Sequence, residues 1–562
     1  MAIITTEFAR GRSFQRLLRD QLQGRSLRGP LRPIALSATA VAVALAWAPG
    51  ASASEFKFVP NVLVTETYTD NVGLNARGQE RSDFVTTVAP GFTVSRDSAR
   101  LQLRAAYSLQ ALFYLNNSSG TTLSNLLDAT AHGTLIQDLL FFDARAAISQ
   151  QNASAFGPQA ASDVNVSNNR VETRSYSISP YLEQRFDSVA VGRLRYAHEA
   201  LNSGDVNGSN GGNSGNGSNN FNILNAGGRI GLGNSSTDRV VATVVSGPIF
   251  RTFTWGTTAS TQKTRYTDSD SVSQSFASAN VGYLVGPNLR LTAAGGYEKD
   301  TYVTIGDKPQ GAFYNAGFIW TPSSRTSVTA TAGHRFFGPT YALAISHRAR
   351  LAALNLTYNE EITSSLAQAL LLQTSSTSGT LNQSLLATVP DPLLRQRLVD
   401  NLIQSLNLPS ETRTVSNALS NRYFLQKNLQ ASLAANGIRN TVIGSLFVTR
   451  REPQSGSLPA GASTGTRAGL LDDDSRSVGA SGVWSYKLSP RTLTNANLSY
   501  TRTRSLTTDV TTNYKTLRLG LTSAFQPKLN GSLELRHTQQ DSDLIGSDVR
   551  ENAITASMRM QF

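Results

Sequence analysis

Apolar side chains recur at every second position over long stretches of this chain. In Leu101–Leu115, one register carries leucine, alanine and aromatic residues, while the other carries Gln102, Arg104 and Ser108. Leu140–Gln150 and the C-terminal run Ile554–Phe562 repeat the pattern. A period of two residues predicts β-strands that have one apolar and one polar face.

The length and spacing of these runs distinguish two all-β architectures. A soluble sandwich shows the same alternation with its apolar face turned inward. Several runs here exceed the roughly 5–6 residues that are usual for strands of soluble sheets. Short turns also alternate with longer polar loops along the chain. This pattern favours a transmembrane antiparallel β-barrel with its apolar face toward lipid, short periplasmic turns and long extracellular loops.

The connections give the number of strands. We count roughly ten short turns, one of them at 233–237, and eleven longer loops, which together predict about 22 strands within a range of 20 to 24. An even number places both chain ends on the periplasmic side. The longer loops include 152–170, 201–219, 257–271 and 364–420.

The C-terminal strand carries a second signal. Met558, Met560 and Phe562 share one register, and the chain stops on the aromatic residue. This ending resembles the assembly signal of outer-membrane barrels in Gram-negative bacteria. It implies the barrel assembly machinery as a partner, with outer-membrane lipid and lipopolysaccharide as the surroundings of the folded protein.

The N-terminus predicts a secretory signal peptide over residues 1–53. A basic segment precedes a mostly small and apolar run from Pro33 to Trp47, and Ala51-Ser52-Ala53 fits a cleavage site. The alternative is a membrane-anchoring helix, but the apolar run is short for a span of about 20 residues. Residues 54–562 then form a single barrel domain in the outer membrane.

Composition excludes several classes of function. The chain has no cysteine, so disulfides, thiol nucleophiles and cysteine–zinc sites are excluded. Seven of the 51 basic and two of the 38 acidic residues lie in 1–53, which leaves 44 basic and 36 acidic residues and a net charge of +8 in residues 54–562. This moderate charge does not indicate a nucleic-acid partner, and the sequence has no basic stripe with interleaved aromatic residues.

The loop 364–420 is predicted to contain a helix over about 392–406. Leu394, Leu398, Leu402 and Ile403, together with Leu406, form an apolar stripe at helical spacing. This stripe either packs against the loop and the barrel wall or serves as a plug or docking helix. A barrel of this size is too wide for side chains to fill, and we expect 364–420 to be the only loop long enough to block it. A second loop, 202–220, consists almost entirely of Asn, Gly and Ser.

Catalytic chemistry has little support in the sequence. The chain contains no His-Glu-x-x-His, Gly-x-Ser-x-Gly or phosphate-binding loop. His132 lies on a polar register and could act as a base in the lumen, but a hydrogen-bonded structural role is the simpler interpretation because no nucleophile accompanies it. Asp472-Asp473-Asp474 has no further ligands at fixed spacing and is interpreted as part of a solvated loop. We therefore predict no enzyme activity, no metal and no cofactor.

The polar registers give the candidate solute path. Six arginines occupy positions expected to face the lumen: Arg104, Arg145, Arg290, Arg518, Arg536 and Arg559. Four acidic residues share these registers: Asp128, Asp143, Glu298 and Glu534. Structural ion-pair ladders are the simpler interpretation, whereas the slight basic excess would favour anionic solutes in a water-filled pore.

Several stretches resemble a family of large outer-membrane proteins associated with the PEP-CTERM/exosortase system and with exopolysaccharide loci. They are Thr65–Val72, Ser82–Val85, Tyr107–Leu112, Phe141–Gln151, Phe156–Gln159, Arg335–Tyr341 and the segment after Val389–Pro392. The resemblance covers most of residues 54–562. It implies a barrel with a role near the output of exopolysaccharide or extracellular protein, and it assigns no catalytic residues.

Three functional hypotheses follow. The leading one is a non-enzymatic outer-membrane barrel that exports or attaches a surface polymer or extracellular protein, with exopolysaccharide or secretion components as partners. The first alternative is a general porin-like channel for small solutes. The second is a structural or docking protein whose loops bind surface polysaccharide.

Overall fold

β-Strands are the only regular secondary structure in the part of the chain that the structure describes. The structure, a computed structural model, describes residues 56–116, 121–152, 154–167, 169–203, 234–267, 271–302, 309–364, 423–454, 474–544 and 546–562. The predicted signal peptide, the predicted helix 392–406, residues 204–220 and Asp472-Asp473 lie outside these residues. No helix among the described residues is long and apolar enough to cross a membrane.

The described residues contain 22 strands. The first eleven are β1 Lys57–Thr69, β2 Asp83–Asp97, β3 Leu101–Tyr114, β4 Thr122–Ile136, β5 Leu140–Asn152, β6 Arg170–Phe186, β7 Ala190–Ser203, β8 Ser235–Ser246, β9 Phe253–Tyr266, β10 Val272–Gly286 and β11 Leu289–Asp300. The others are β12 Gln310–Ser323, β13 Thr326–Arg335, β14 Gly338–Arg348, β15 Ala352–Thr363, β16 Phe424–Asn436, β17 Asn440–Pro453, β18 Ser475–Ser489, β19 Thr492–Ser505, β20 Thr511–Gln526, β21 Leu529–Ser542 and β22 Val549–Gln561.

These strands close into one antiparallel barrel. Each strand pairs with its neighbours in sequence, and β1 pairs with β22 through a register that sets Val62 opposite Met560. Closure leaves no edge strand among the described residues, as a sheet surrounded by lipid requires. The prediction of an all-β antiparallel barrel of about 22 strands is confirmed.

The two faces of the wall differ in polarity. In β22, Met558 and Met560 are 50% and 47% exposed on the outer face, whereas Ser557, Arg559 and Gln561 alternate with them on the inner face. Outward aromatic side chains gather near both ends of the strands. The periplasmic group includes Phe58, Phe186, Phe253, Trp320, Trp484, Phe525 and Phe562, and the extracellular group includes Tyr68, Phe84, Phe113, Tyr297, Tyr314 and Tyr341. Two aromatic girdles around an apolar band are typical of a barrel that crosses the outer membrane.

One short turn was predicted at the wrong place. The sequence predicted a turn at 233–237 and a loop at 257–271, but β8 starts at Ser235 and β9 occupies most of the second range. The turn between these strands lies at 247–252 instead. The backbone of Gly247 packs so closely on Ser188 that a Cβ at Gly247 would lie 2.2 Å from the Ser188 carbonyl oxygen. Glycine therefore fixes this turn, and the polar residues near 235 belong to a strand.

The assignment of faces predicts the effect of a charge at two adjacent positions. Ala556→Lys places an ammonium group against acyl chains, and we expect a loss of about 2–4 kcal/mol in the free energy of unfolding. Ser557→Lys places the same group in the lumen, where we expect a loss of less than about 1 kcal/mol. Urea unfolding in lipid vesicles measures both values. Equal losses for the two variants would contradict the assigned faces.

Candidate functional site

The connection between β5 and β6 lies inside the barrel at its extracellular end. We call residues 154–167 and Asn169 the inner loop. Phe156 is fully buried against Val510 and Leu544, and Val164 packs in a cluster with Val72, Val85 and Leu112. Val85 and Leu112 belong to the inward-facing registers of β2 and β3. A connection other than 364–420 therefore enters the lumen, because this shorter loop has enough apolar side chains to fold inward. The prediction that only 364–420 is long enough to block the lumen stays a prediction, since most of that loop lies outside the described residues.

Buried polar groups fix the inner loop to the wall. The Glu551 Oε1 atom accepts hydrogen bonds from Asn165 Nδ2 at 2.6 Å, Thr69 Oγ1 at 2.7 Å and Arg536 Nη2 at 3.0 Å. The side chains of Glu551 and Arg536 are 0% and 2% exposed. The backbone N–H of Gln159 donates to Gln540 Oε1 at 3.0 Å. The loop is thus held through strands β1, β21 and β22, far from its own ends in β5 and β6.

The six predicted lumen arginines fall into two groups. Arg518 and Arg536 lie under the inner loop: Arg518 Nη2 donates to the Ala161 carbonyl oxygen, and both arginines contact Glu534. The other four lie on inward registers elsewhere in the wall: Arg104, Arg145, Arg290 and Arg559. Arg290 donates to Thr254 Oγ1 at 2.8 Å, near the periplasmic turns. The structure therefore does not bring the six together in one site, and their part in a solute path stays a prediction.

His132 belongs to a cluster in the periplasmic half of the wall. Its Nδ1 atom lies 2.7 Å from Asp143 Oδ1, and Arg195 Nη2 donates to Asp143 Oδ2 at 2.8 Å. Asp143 thus orients both side chains. No group of three or more His, Cys, Asp or Glu residues suited to a metal ion occurs among the described residues.

Aromatic side chains complete this cluster. The Tyr181 and Phe141 rings stack with centroids 5.2 Å apart and planes 18° apart. The Arg195 guanidinium carbon lies 4.3 Å from the centre of the Tyr181 ring, and that of Arg193 lies 5.3 Å from it. Arg193 Nε also donates to Glu183 Oε2 at 3.1 Å. We call these seven residues the periplasmic lumen patch: His132, Phe141, Asp143, Tyr181, Glu183, Arg193 and Arg195.

Sequence reasoning named only His132 and Asp143 of this patch. Arg193 and Arg195 occupy alternate positions of β7, so the period of two places them on one face. That signal was readable, but the two arginines were not singled out. Their meeting with Tyr181 and Asp143 depends on strand register, which sets Arg195 opposite Tyr181 and Ser179 opposite Asp143. Register between strands is not visible in one sequence.

A second aromatic cluster lies at the extracellular end, across β9 to β16. The Tyr302 and Tyr423 rings stack at 4.9 Å with an interplanar angle of 5°, and the Tyr266 hydroxyl donates to the Tyr423 hydroxyl oxygen at 3.3 Å. Burial raises the pKa of both Tyr302 and Tyr423, so their hydroxyls remain protonated. Tyr423 directly precedes β16, and this contact ties the start of β16 to the inner side of β9.

The similarity of this chain to known proteins is confined to solved structures. No protein-family model matches the chain, and no curated protein matches its sequence. Solved structures do resemble it. The FrpB iron transporter from Neisseria meningitidis has a TM-score of 0.47 and 8% identity, with 90% of this chain and 82% of that chain covered. The siderophore receptor PirA from Pseudomonas aeruginosa has a TM-score of 0.43 and 10% identity, with 91% and 81% covered. The siderophore receptor PiuA from Acinetobacter baumannii has a TM-score of 0.46 and 9% identity, with 91% and 82% covered.

The closed wall, the outward apolar band and the two aromatic girdles define the class of protein. The chain is an outer-membrane β-barrel, with 22 strands in the part that the structure describes. The inner loop and the periplasmic lumen patch are two candidate functional features of its interior.

Proposed function

We propose that the protein is a non-enzymatic conduit of the outer membrane that exports a hydrophilic polymer, with an exopolysaccharide as the preferred cargo. The periplasmic lumen patch carries this proposal. Aromatic rings offer flat faces on which the C–H faces of sugar rings pack. Guanidinium and carboxylate groups beside them donate to and accept from sugar hydroxyls, and arginine pairs bind acidic sugars through charge-assisted hydrogen bonds.

The rest of the inner wall supports passage rather than tight binding. Inward hydroxyl groups meet in pairs across neighbouring strands: Thr67 with Thr555, Thr237 with Thr264, Ser477 with Thr503, Thr512 with Ser542 and Ser532 with Ser557. These small groups already satisfy one another, and most of them are buried, so this part of the wall offers a passing chain no strong binding site. Transport requires many weak sites in sequence, because a tightly bound cargo does not leave. The resemblance to proteins of exopolysaccharide loci supports a polysaccharide as the polymer.

Planar-bilayer recording tests the patch. The wild-type barrel is expected to conduct ions, and a soluble fragment of acidic polysaccharide added on the periplasmic side is expected to interrupt the current. Tyr181→Ala removes the central ring of the patch. We expect the fragment to bind about tenfold more weakly, because one aromatic stacking contact is lost. Tyr176→Ala is the matched control, because Tyr176 lies in the same strand but on the outer face.

The outcomes separate the hypotheses. Equal interruption in the Tyr181→Ala and Tyr176→Ala variants would remove the patch from the path. Absence of any current, including after deletion of 364–420, would reject transport and favour a docking protein. In cells that lack the protein, retention of polymer in the periplasm is expected for export, whereas lost attachment with intact release would indicate docking.

A porin-like channel for small solutes is the second candidate, and the inner loop favours it. A loop fixed inside the wall narrows the extracellular end, as a size-selective channel requires. Uptake of small sugars and amino acids by cells that lack the protein distinguishes this role. Slow uptake together with normal polymer release would support the small-solute channel over the exporter.

A further inference from the structure

Positive side chains stand opposite one another on the outer face of four neighbouring strands, at their extracellular ends. The cross-strand registers pair Lys427 with Arg450, Arg450 with Arg476, and Arg476 with Arg504. We call these four residues the rim cation row. Arg502 lies one outward position closer to the membrane, opposite Val478. The alternation of β17, β18 and β19 turns these side chains outward together with Leu446, Val478 and Tyr500, which are all exposed.

Such a row costs free energy unless something neutralises it, because like charges directly opposite in a sheet destabilise the pairing. Carboxylates neutralise its two ends. Glu452 Oε1 lies 3.1 Å from Lys427 Nζ and 3.0 Å from Arg450 Nε, and Asp509 Oδ1 lies 2.9 Å from Arg504 Nη2. Among the residues that the structure describes, Arg476 and Arg502 have no ion-pair partner. The guanidinium groups of Arg476, in the row, and of Arg502, just below it, therefore remain available to an external anion.

The position of the row indicates where that anion comes from. Outward side chains change from charged to apolar within one or two strand positions below the row, at Val478 and Leu446. This boundary is the level of the lipid headgroups in the outer leaflet. The outward positions at the extracellular ends of β2, β3 and β4 carry Phe84, Phe113 and Leu123. The outward Lys263 and Lys299 of β9 and β11 stand opposite serines rather than opposite other cations.

A groove on the outer surface lies beside this charged region. Leu517, Leu519, Leu535 and Ile554 line it, and Tyr68 closes one side; its volume is about 410 Å³. Lys515 is the next outward residue of β20 above Leu517. The apolar walls match the acyl chains of a lipid, which a free anion lacks. Asp70, His537 and Asn552 also line the groove, and Lys515 contacts Asp541 at 3.7 Å.

We propose that the rim cation row with Arg502 is a binding site for the phosphorylated headgroup of an outer-leaflet glycolipid of the lipopolysaccharide type, whose acyl chains lie on the apolar wall below. Arg476 and Arg502 donate to the phosphate oxygens. The site is independent of what the lumen carries, and it fixes one side of the barrel relative to the leaflet.

Retention of lipid by the purified barrel tests this site. The probe is bisphosphorylated lipid A in detergent micelles, and native mass spectrometry measures the bound fraction. The Arg476→Gln/Arg502→Gln variant is expected to bind about tenfold more weakly, since each substitution removes a charge-assisted hydrogen bond to phosphate. Lys263→Gln/Lys299→Gln is the matched control, because both lysines face outward near the extracellular ends of β9 and β11 and carry the same total charge.

A charge-retaining variant and a lipid without phosphates serve as further controls. Arg476→Lys/Arg502→Lys retains the charge and is expected to recover most of the binding, which shows that loss in the glutamine variant is not a folding defect. Lipid A that lacks both phosphates is expected to bind as weakly as the glutamine variant binds the intact lipid. Equal losses in the glutamine variant and the lysine control pair would overturn the site. Displacement of the lipid by millimolar inorganic phosphate would show that a soluble anion is the ligand and would also overturn it.

Discussion

Glu551→Ala is expected to destabilise the protein by about 3–5 kcal/mol, because it leaves the Arg536 guanidinium buried without its main counter-charge. The same substitution removes the acceptor of Asn165 and Thr69. Asn165, Thr69 and Arg536 all donate to the same Glu551 oxygen and so join the inner loop to β1, β21 and β22. We therefore expect the loop to detach before the wall unfolds. Urea unfolding in vesicles measures the stability, and limited proteolysis between Ser154 and Ser167 measures the detachment.

Two controls distinguish this network from charge removal in general. Asp509→Asn breaks the ion pair between Asp509, which is 76% exposed, and Arg504, which is 50% exposed. A surface pair of this kind is expected to contribute about 0–1 kcal/mol to the free energy of unfolding. The double variant Glu551→Ala/Arg536→Ala is expected to lose less than the sum of the two single variants, because the charges are removed together. Additive losses would mean that Glu551 and Arg536 act separately and that the network does not hold the loop.

The alternating pattern was sufficient to predict the barrel. The period of two is a local property, so Met558 and Met560 could be assigned to one face without knowledge of any neighbour. The number of strands followed from turns and loops for the same reason. The misplaced turn near 235 shows the limit of this reasoning: polar residues mark both turns and lumen-facing strands, and only the close packing of Gly247 on Ser188 separates the two.

The interior could not be predicted in the same way. Asn165 and Glu551 are 386 positions apart, and no local pattern indicates that they meet. Arg536 was assigned correctly to a polar register. Its burial under the inner loop depends on the connection between β5 and β6, which lies far from Arg536 in the sequence. A signal for that connection was present in Phe156, Ala160 and Val164, which are more apolar than an external loop requires.

Phe156→Ala tests whether that apolar content drives the loop inward. The ring is fully buried and packs on Val510 and Leu544 from two other extracellular connections. Loss of a buried phenyl group is expected to cost about 3–5 kcal/mol. Because the barrel wall closes without this contact, we expect the cost to appear as detachment of the loop rather than as unfolding of the strands. The variant should therefore be cleaved faster within 154–167 and should show a larger single-channel conductance than the wild-type barrel.

The matched control for this variant is Leu115→Ala, at a position that lies at the same end of the barrel and is 74% exposed. Its effect on stability is expected to stay within about 0.5 kcal/mol, and its conductance should equal that of the wild type. Faster cleavage without a change of conductance would mean that the inner loop lines the wall but does not narrow the path. A global loss of strand stability in Phe156→Ala would mean that the loop is part of the barrel's core, since the wall would then depend on it for closure.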